Sequence, residues 1–320
     1  MPRRYDEKMF GLSHLREVAE RCKNWGRWGD DDEIGTLNFV TPERLVEAAK
    51  LVKQGRRFSL GLNFDRKGPQ SGLWGNRFNP IHLMLATGTD AVAGRQGGLR
   101  YADDMVSLPL QCATQWDALA HIFYDDKMWN GYPATLVDAN GAARNGIEKV
   151  RDRMAGRGVL LDIARYCGVP FLEDGMAITN DDLDGCAADQ RVEIRPGDFV
   201  IVRTGQMEQR LAAGAWGGYA GGEAPGLAFE TAEWIYRKEI AAICADTWGC
   251  EVRPNECSEC EQPWHWVVIP MIGISMGEIF FLKDLAEDCA TDGVYEFFFC
   301  APPLPITGAV GSPLNPMVLK

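Results

Sequence analysis

Between Gln111 and His121 the sequence sets amide, carboxylate and imidazole groups into an apolar surrounding. The stretch reads Gln111-Cys112-Ala113-Thr114-Gln115-Trp116-Asp117-Ala118-Leu119-Ala120-His121, with Val106-Ser107-Leu108-Pro109-Leu110 before it and Ile122-Phe123-Tyr124 after it. Burying such a polar group without a partner costs roughly 2–7 kcal/mol, so the stretch needs compensation from whatever it faces. In an extended chain, residues two apart share a face. Gln111, Ala113, Gln115 and Asp117 then point one way, and His121, four residues on, can fold back over one helical turn. A convergent Gln/Gln/Asp/His set suits a metal ion or a polar substrate.

The stretch resembles the signature His-x-Gly-Thr-His-x-Asp-x-x-x-His of the metal-dependent cyclase-like hydrolases, the family that includes bacterial kynurenine formamidase and isatin hydrolase. Thr114, Asp117 and His121 match in register, while Gln111 and Gln115 stand where the family has histidines and Ala113 where it has glycine. A second element is similar too: Pro263-Trp264-His265, then Gly273-Ile274-Ser275-Met276-Gly277-Glu278, then Leu282 and Leu285. The runs at 157–162 and 197–205, and Asp246 at the end of an apolar run, extend the likeness over residues 100 to 310.

The resemblance implies an α/β chain with the swivelling β/β/α cyclase-like fold and a mixed, barrel-like β core. It implies a metal-dependent hydrolase that uses a metal-activated water to cleave the C–N bond of a small cyclic amide, imide or formamide, an ester or lactone being the variant. Asp117, His121, His265 and Glu278 would supply two oxygens and two nitrogens, a set that suits zinc or manganese. In the family the aspartate lies between two metal positions, so losing both histidines weakens the first and spares the second. Carbonyl oxygens from Gln111 and Gln115 would favour one hard ion such as manganese over a zinc pair. His265 is the candidate proton shuttle and His121 the second choice. Trp116 is assigned to stacking the substrate ring, with Trp74 and His82 beside it, although His82 reads rather as a packed core histidine.

Three other readings use the same residues. Gln111, Gln115, Asp117 and His121 fit a buried network satisfied by backbone groups. A metal-free cyclase or dehydratase could use His265 and Asp117 as acid and base, and a non-catalytic descendant could bind a small ring compound. Metal content separates the hydrolase from the last two.

The bulk properties narrow the partners. With 320 residues, 46% of them hydrophobic, the chain can build a large core. A formal net charge of -12 argues against nucleic acid or an anionic membrane as partner. It also means that an anionic substrate needs local basic groups, which the sequence does not visibly concentrate. Ten cysteines in a chain this long, several in apolar segments, read as free thiols in a reducing compartment. No apolar leader and no run approaching ~20 apolar residues is seen, so a cytoplasmic protein is expected, and the family likeness implies a homodimer or larger assembly.

The positioning elements follow from pattern. Leu12, Leu15, Val18 and Ala19 mark a helix over 11–23. Thr41-Pro42-Glu43 starts another, running to Gln54. A strand is expected at 59–64, a long loop from Lys67 to Gly98, a helix over 144–153, strands at 158–164 and 198–204, a helix at 229–237, a strand at 240–245 and a buried strand at 295–300. Residues 1–100 read as an N-terminal extension packed on a core of 101–320. The glycine-rich stretch 214–222 lacks the ending of a phosphate loop and reads as a mobile loop beside the pocket. Cys257-Ser258-Glu259-Cys260, even with Cys250, lacks a fourth zinc ligand.

Overall fold

The runs Val159-Leu160-Leu161, Val200-Ile201-Val202 and Ile243-Cys244 are apolar at every position rather than alternating, the pattern of parallel strands buried on both faces. In the computed structural model, which describes residues 1–94 and 97–320, they lie at the centre of a curled, half-barrel sheet of nine strands. In chain order the strands are β1 (Arg57–Ser59), β2 (Gln115–Asp117), β3 (Ala155–Asp162), β4 (Phe199–Arg203), β5 (Ala242–Ala245), β6 (Ser275–Glu278), β7 (Glu296–Cys300), β8 (Gly311–Pro313) and β9 (Met317–Leu319). Their spatial order is β8-β2-β6-β5-β4-β3-β7-β9-β1. Strands β3 to β6 are mutually parallel, and β2, β8, β7, β9 and β1 add antiparallel flanks. This is the mixed α/β architecture with a barrel-like core expected from the sequence.

Alternation sorts the side chains into two cores. Val159, Leu161, Val200, Val202, Ile243 and Met276 face one way, and Leu160, Phe199, Ile201, Cys244, Phe297 and Phe299 the other. The first face is covered by the helix Leu12–Arg21, through Leu15 and Val18, and by the short helix Pro263–Val267, through Trp264 and Val267. That second helix carries His265.

Several expectations shift in detail. The helix begun by Thr41, whose hydroxyl accepts from the Arg44 N–H at 3.4 Å, ends at Ala49 instead of Gln54. Residues 144–153 form only a 3-10 turn at Ile147–Val150, because Ile147 and Glu148 are tied to the 308–309 turn. The strand expected at 59–64 is Arg57–Ser59, paired with β9. The expected loop from Lys67 to Gly98, of which Arg95 and Gln96 lie outside the described residues, contains the strand Ile81–Ala86. This strand pairs with Asp103–Ser107 in a separate two-stranded ribbon. The proline-rich tail does more than lie extended: it returns as β8, paired with β2, and as β9, paired with β7 and β1. Among the described residues no helix is long and apolar enough to cross a membrane, and all ten cysteines are free thiols.

Candidate metal centre

Strand β2 pairs antiparallel with β6 so that Gln115 stands opposite Glu278 and Asp117 opposite Met276. Because the side-chain period is two, Gln115, Asp117 and Glu278 share the face beneath the helix Pro263–Val267. The Gln115 Nε2 donates to Glu278 Oε2 at 2.5 Å. Thr114 braces the pair from behind: its hydroxyl donates to the Ile279 carbonyl at 2.6 Å and accepts from the Leu62 N–H at 2.8 Å.

The helix lowers His265 onto this face. Its Nε2 lies 3.4 Å from Glu278 Oε1, while its Nδ1 is hydrogen-bonded to Glu251. Glu251 also accepts from the backbone N–H groups of Trp264 and His265 at 3.3 Å each and from the Asn255 amide at 3.1 Å. A carboxylate is thereby fixed at the start of the helix, where the unpaired N–H groups favour negative charge. Glu251 carries no motif signal. The clue available in the sequence was only that a buried His265 needs an orienting partner.

Donor atoms of Asp117, His265 and Glu278 all lie within 4.8 Å of one another, and all three residues are buried. Burial raises the Asp117 carboxyl to about 6; His121 opposes the shift and Glu278 adds to it. Burial pulls the His265 imidazole down, yet its hydrogen bond and attraction to Glu251, and then to Glu278, prevail and push it up to about 10. Two buried acceptors here, Asp117 Oδ1 and Gln115 Oε1, have no hydrogen-bond partner. Buried oxygens are seldom left so, and unmatched oxygens beside two carboxylates and an imidazole are a donor set for a divalent cation. The residues therefore fit a metal.

His121 stands at the edge of this group. Its Nε2 lies 3.7 Å from Asp117 Oδ1, and it is 20% exposed. Burial lowers its pKa against the pull of Asp117, so the imidazole is neutral near pH 7. Gln111 is nearly buried, with an unpartnered Nε2, against Gly311 of β8.

The residues assigned to the substrate ring divide. Trp116 does not line the site: alternation turns it to the opposite face, where it packs between Phe280 and Phe299 and its Nε1 donates to the Ala301 carbonyl at 2.7 Å. His82 is neither a pocket nor a core residue. It lies on the exposed ribbon with its Nε2 2.8 Å from Asp104, because that ribbon leaves the sheet and covers nothing. Trp74 packs edge-on against Trp248 at 5.3 Å, and Trp248 directly precedes Gly249, which adjoins Glu278. Asp246 is structural: it accepts from the Thr204 N–H and hydroxyl and from the Gly205 N–H at 2.6–2.8 Å.

Among the described residues the cysteines join no metal group; Cys250 instead donates its thiol to the Gly277 carbonyl at 3.3 Å. An open cleft of 520 Å³ between Leu62, Lys67, Arg210 and Trp216 includes none of the three ligand candidates. The glycine-rich stretch contributes Gly214, Ala215 and Trp216 to its wall.

A family model described as cyclase matches residues 37–252. A crystal structure described as a novel cyclase is 40% identical, covers 94% of this chain and 99% of that one, and superposes with a TM-score of 0.85. Isatin hydrolase A from Ralstonia solanacearum is similar in fold, with 18% identity over 87% of this chain and 98% of that one and a TM-score of 0.64. Isatin hydrolase A from Labrenzia aggregata, at 16% identity over 82% of this chain and 93% of that one, has a TM-score of 0.61. None of the curated proteins compared with the chain matches it.

Proposed function

Because the chain belongs to the cyclase family, we propose that it is a metal-dependent hydrolase in which Asp117, His265 and Glu278 hold one divalent cation, manganese or zinc. The substrate in this reading is a small cyclic amide, imide or formamide, cleaved at its C–N bond. One observation carries the proposal. Three buried ligand residues drawn from β2, β6 and the 263–267 helix bring donor atoms within 4.8 Å, and Asp117 Oδ1 beside them lacks a hydrogen bond. The isatin hydrolases and the metal-dependent hydrolases of this fold support the reaction class.

When bound, such an ion supplies Lewis-acid polarisation of a carbonyl and makes water acidic near neutral pH. The chain supplies the rest. Glu251 and Glu278 flank both ring nitrogens of His265, so that side chain is held in place and has no face left for a substrate proton. Proton transfer therefore falls to His121, a neutral imidazole with an open edge beside Asp117. Gln115, donating to Glu278, fixes that carboxylate's rotamer and keeps one of its oxygens turned to His265.

The test is turnover of a panel of cyclic amides and imides by manganese-loaded protein, repeated after chelation and in His121→Gln. The proposal expects chelation to abolish turnover reversibly and the variant to keep its metal while losing at least about a hundredfold in rate, the usual range for a proton-transfer group. Turnover that survives chelation would transfer the site to metal-free acid–base chemistry.

A further inference from the structure

The loop ahead of the exposed ribbon carries a cation to the edge of the acidic cluster. Arg77 is half-buried, and its guanidinium lies 5.4 Å from the ring centroid of Trp248. Its charge reaches Asp117 and Cys112, the neighbour of Gln111, where it opposes the rise that burial causes, and His121, where it adds to the fall that burial causes. Among the described residues this guanidinium has no carboxylate partner and donates no hydrogen bond. Other half-buried and buried arginines donate hydrogen bonds: Arg203 pairs with Asp162 and Glu208, Arg157 with Asp198 and Glu296, and Arg210 with Asp174, while Arg44 donates to the Phe39 carbonyl and Arg253, over the Trp74 ring at 5.1 Å, donates to the Gly221 and Gly222 carbonyls.

Two further donors nearby are buried and unmatched, the Trp248 Nε1 and the Gln111 Nε2. An indole N–H can only donate, and a buried donor without an acceptor is costly. The wall beside the ligand candidates is thus rich in donors and carries the charge of Arg77, which no carboxylate neutralises, whereas the floor is rich in acceptors. A cation takes the floor; the wall calls for an anionic acceptor. Since the chain as a whole carries a net charge of -12, it repels anions at long range, and any recognition of one has to be local.

We propose that Arg77 and the Trp248 indole N–H hold a carboxylate carried by the substrate, so that the substrate is an anionic ring compound whose ring lies along Trp248 and Trp74. This deepens the hydrolase reading and rests on it for the reaction, but the binding of the anion rests on the wall alone. A planar guanidinium stacked on an indole is pre-organised for two parallel bonds to a carboxylate. Charge-assisted hydrogen bonds of this kind change affinity by about tenfold or more.

The experiment uses a matched pair of probes, phenylacetate and its neutral counterpart phenylacetamide, titrated into manganese-loaded protein and followed by indole fluorescence and calorimetry. Phenylacetate is expected to bind about tenfold or more tightly than phenylacetamide. Arg77→Gln should abolish that preference, Arg77→Lys should keep part of it, and Trp248→Phe should reduce it. Manganese uptake, measured separately, should be unchanged in the Arg77 variants. The same pair is then titrated into Asp117→Asn, which removes a metal ligand. A phenylacetate preference that persists there belongs to Arg77; one that vanishes belongs to the ion and overturns the proposal. An equal preference in wild type and Arg77→Gln also overturns it, leaving Arg77 as a packing residue on Trp248. Failure of the hydrolase reading would appear instead as absent manganese uptake with the Arg77-dependent preference intact.

Discussion

Glu251 binds the Nδ1 of His265 on the side away from Glu278, whose Oε1 faces the Nε2 at 3.4 Å. One buried imidazole is therefore gripped by two carboxylates, one of which belongs to the candidate ligand set and one of which only aims the ring. Glu251→Gln keeps the shape and removes the charge. Loss of such an orienting carboxylate typically weakens metal affinity about 10–100-fold, and calorimetric titration with manganese should show a change of that size with the fold intact. An unchanged affinity would mean that Glu251 merely caps the helix.

The metal-free protein should lose stability as pH rises, in two windows. The Asp117 carboxyl is raised from 3.8 to about 6, so its contribution is fully present below 3.8 and is lost as pH climbs through 6. The shift is worth on the order of 3 kcal/mol. The His265 imidazole is raised from 6.5 to about 10, so its contribution is present below 6.5 and is lost as pH climbs through 10. Asp198 and Asp246 are also raised to about 6, and they remain in the comparison of wild type with Asp117→Asn. Thermal melts should show the variant more stable than metal-free wild type at pH 8 and no more stable at pH 4. Equal melting temperatures at pH 8 would contradict the buried, ionised Asp117.

Metal binding at pH 7 should release a proton. The His265 imidazole titrates near 10 in the metal-free site and can ligate only as the neutral base. Calorimetry in two buffers of different ionisation enthalpy should give about one proton released per ion, because ligation demands it. No release would remove His265 from the ligand set.

Trp116→Ala should cost roughly 3–5 kcal/mol of stability, the range for deleting a large buried aromatic, since the side chain lies between Phe280 and Phe299. His82→Ala should change stability by no more than about 0.5 kcal/mol, as expected of an exposed residue. A substrate-binding role for Trp116 would instead leave the melting temperature intact.

How far the sequence could be read is visible in these residues. The continuous apolar runs of β3, β4 and β5 were legible as strands, although their parallel pairing, which that continuity also signals, was not read from them. Asp117, His265 and Glu278, separated by up to 161 positions, were brought together on paper only by their likeness to a family pattern. The same period-two rule that grouped Gln115 with Asp117 should have sent Trp116 to the other face. The attraction of an aromatic beside polar residues hid that consequence. Glu251 and Arg77 were missed for another reason: both sit in irregular segments, where neither period nor spacing says which way a side chain turns. Likewise β8 and β9 were hidden by the prolines of the tail, which edge and terminal strands tolerate.

The central claim is tested most directly by titrating metal-free protein with manganese and measuring bound ion per chain, in wild type, Asp117→Asn and Glu278→Gln. One ion per chain in wild type, lost or weakened at least about tenfold in both variants, is the expected result, since each removes a charged ligand from a buried site. No uptake by wild type, or uptake indifferent to both substitutions, would contradict it.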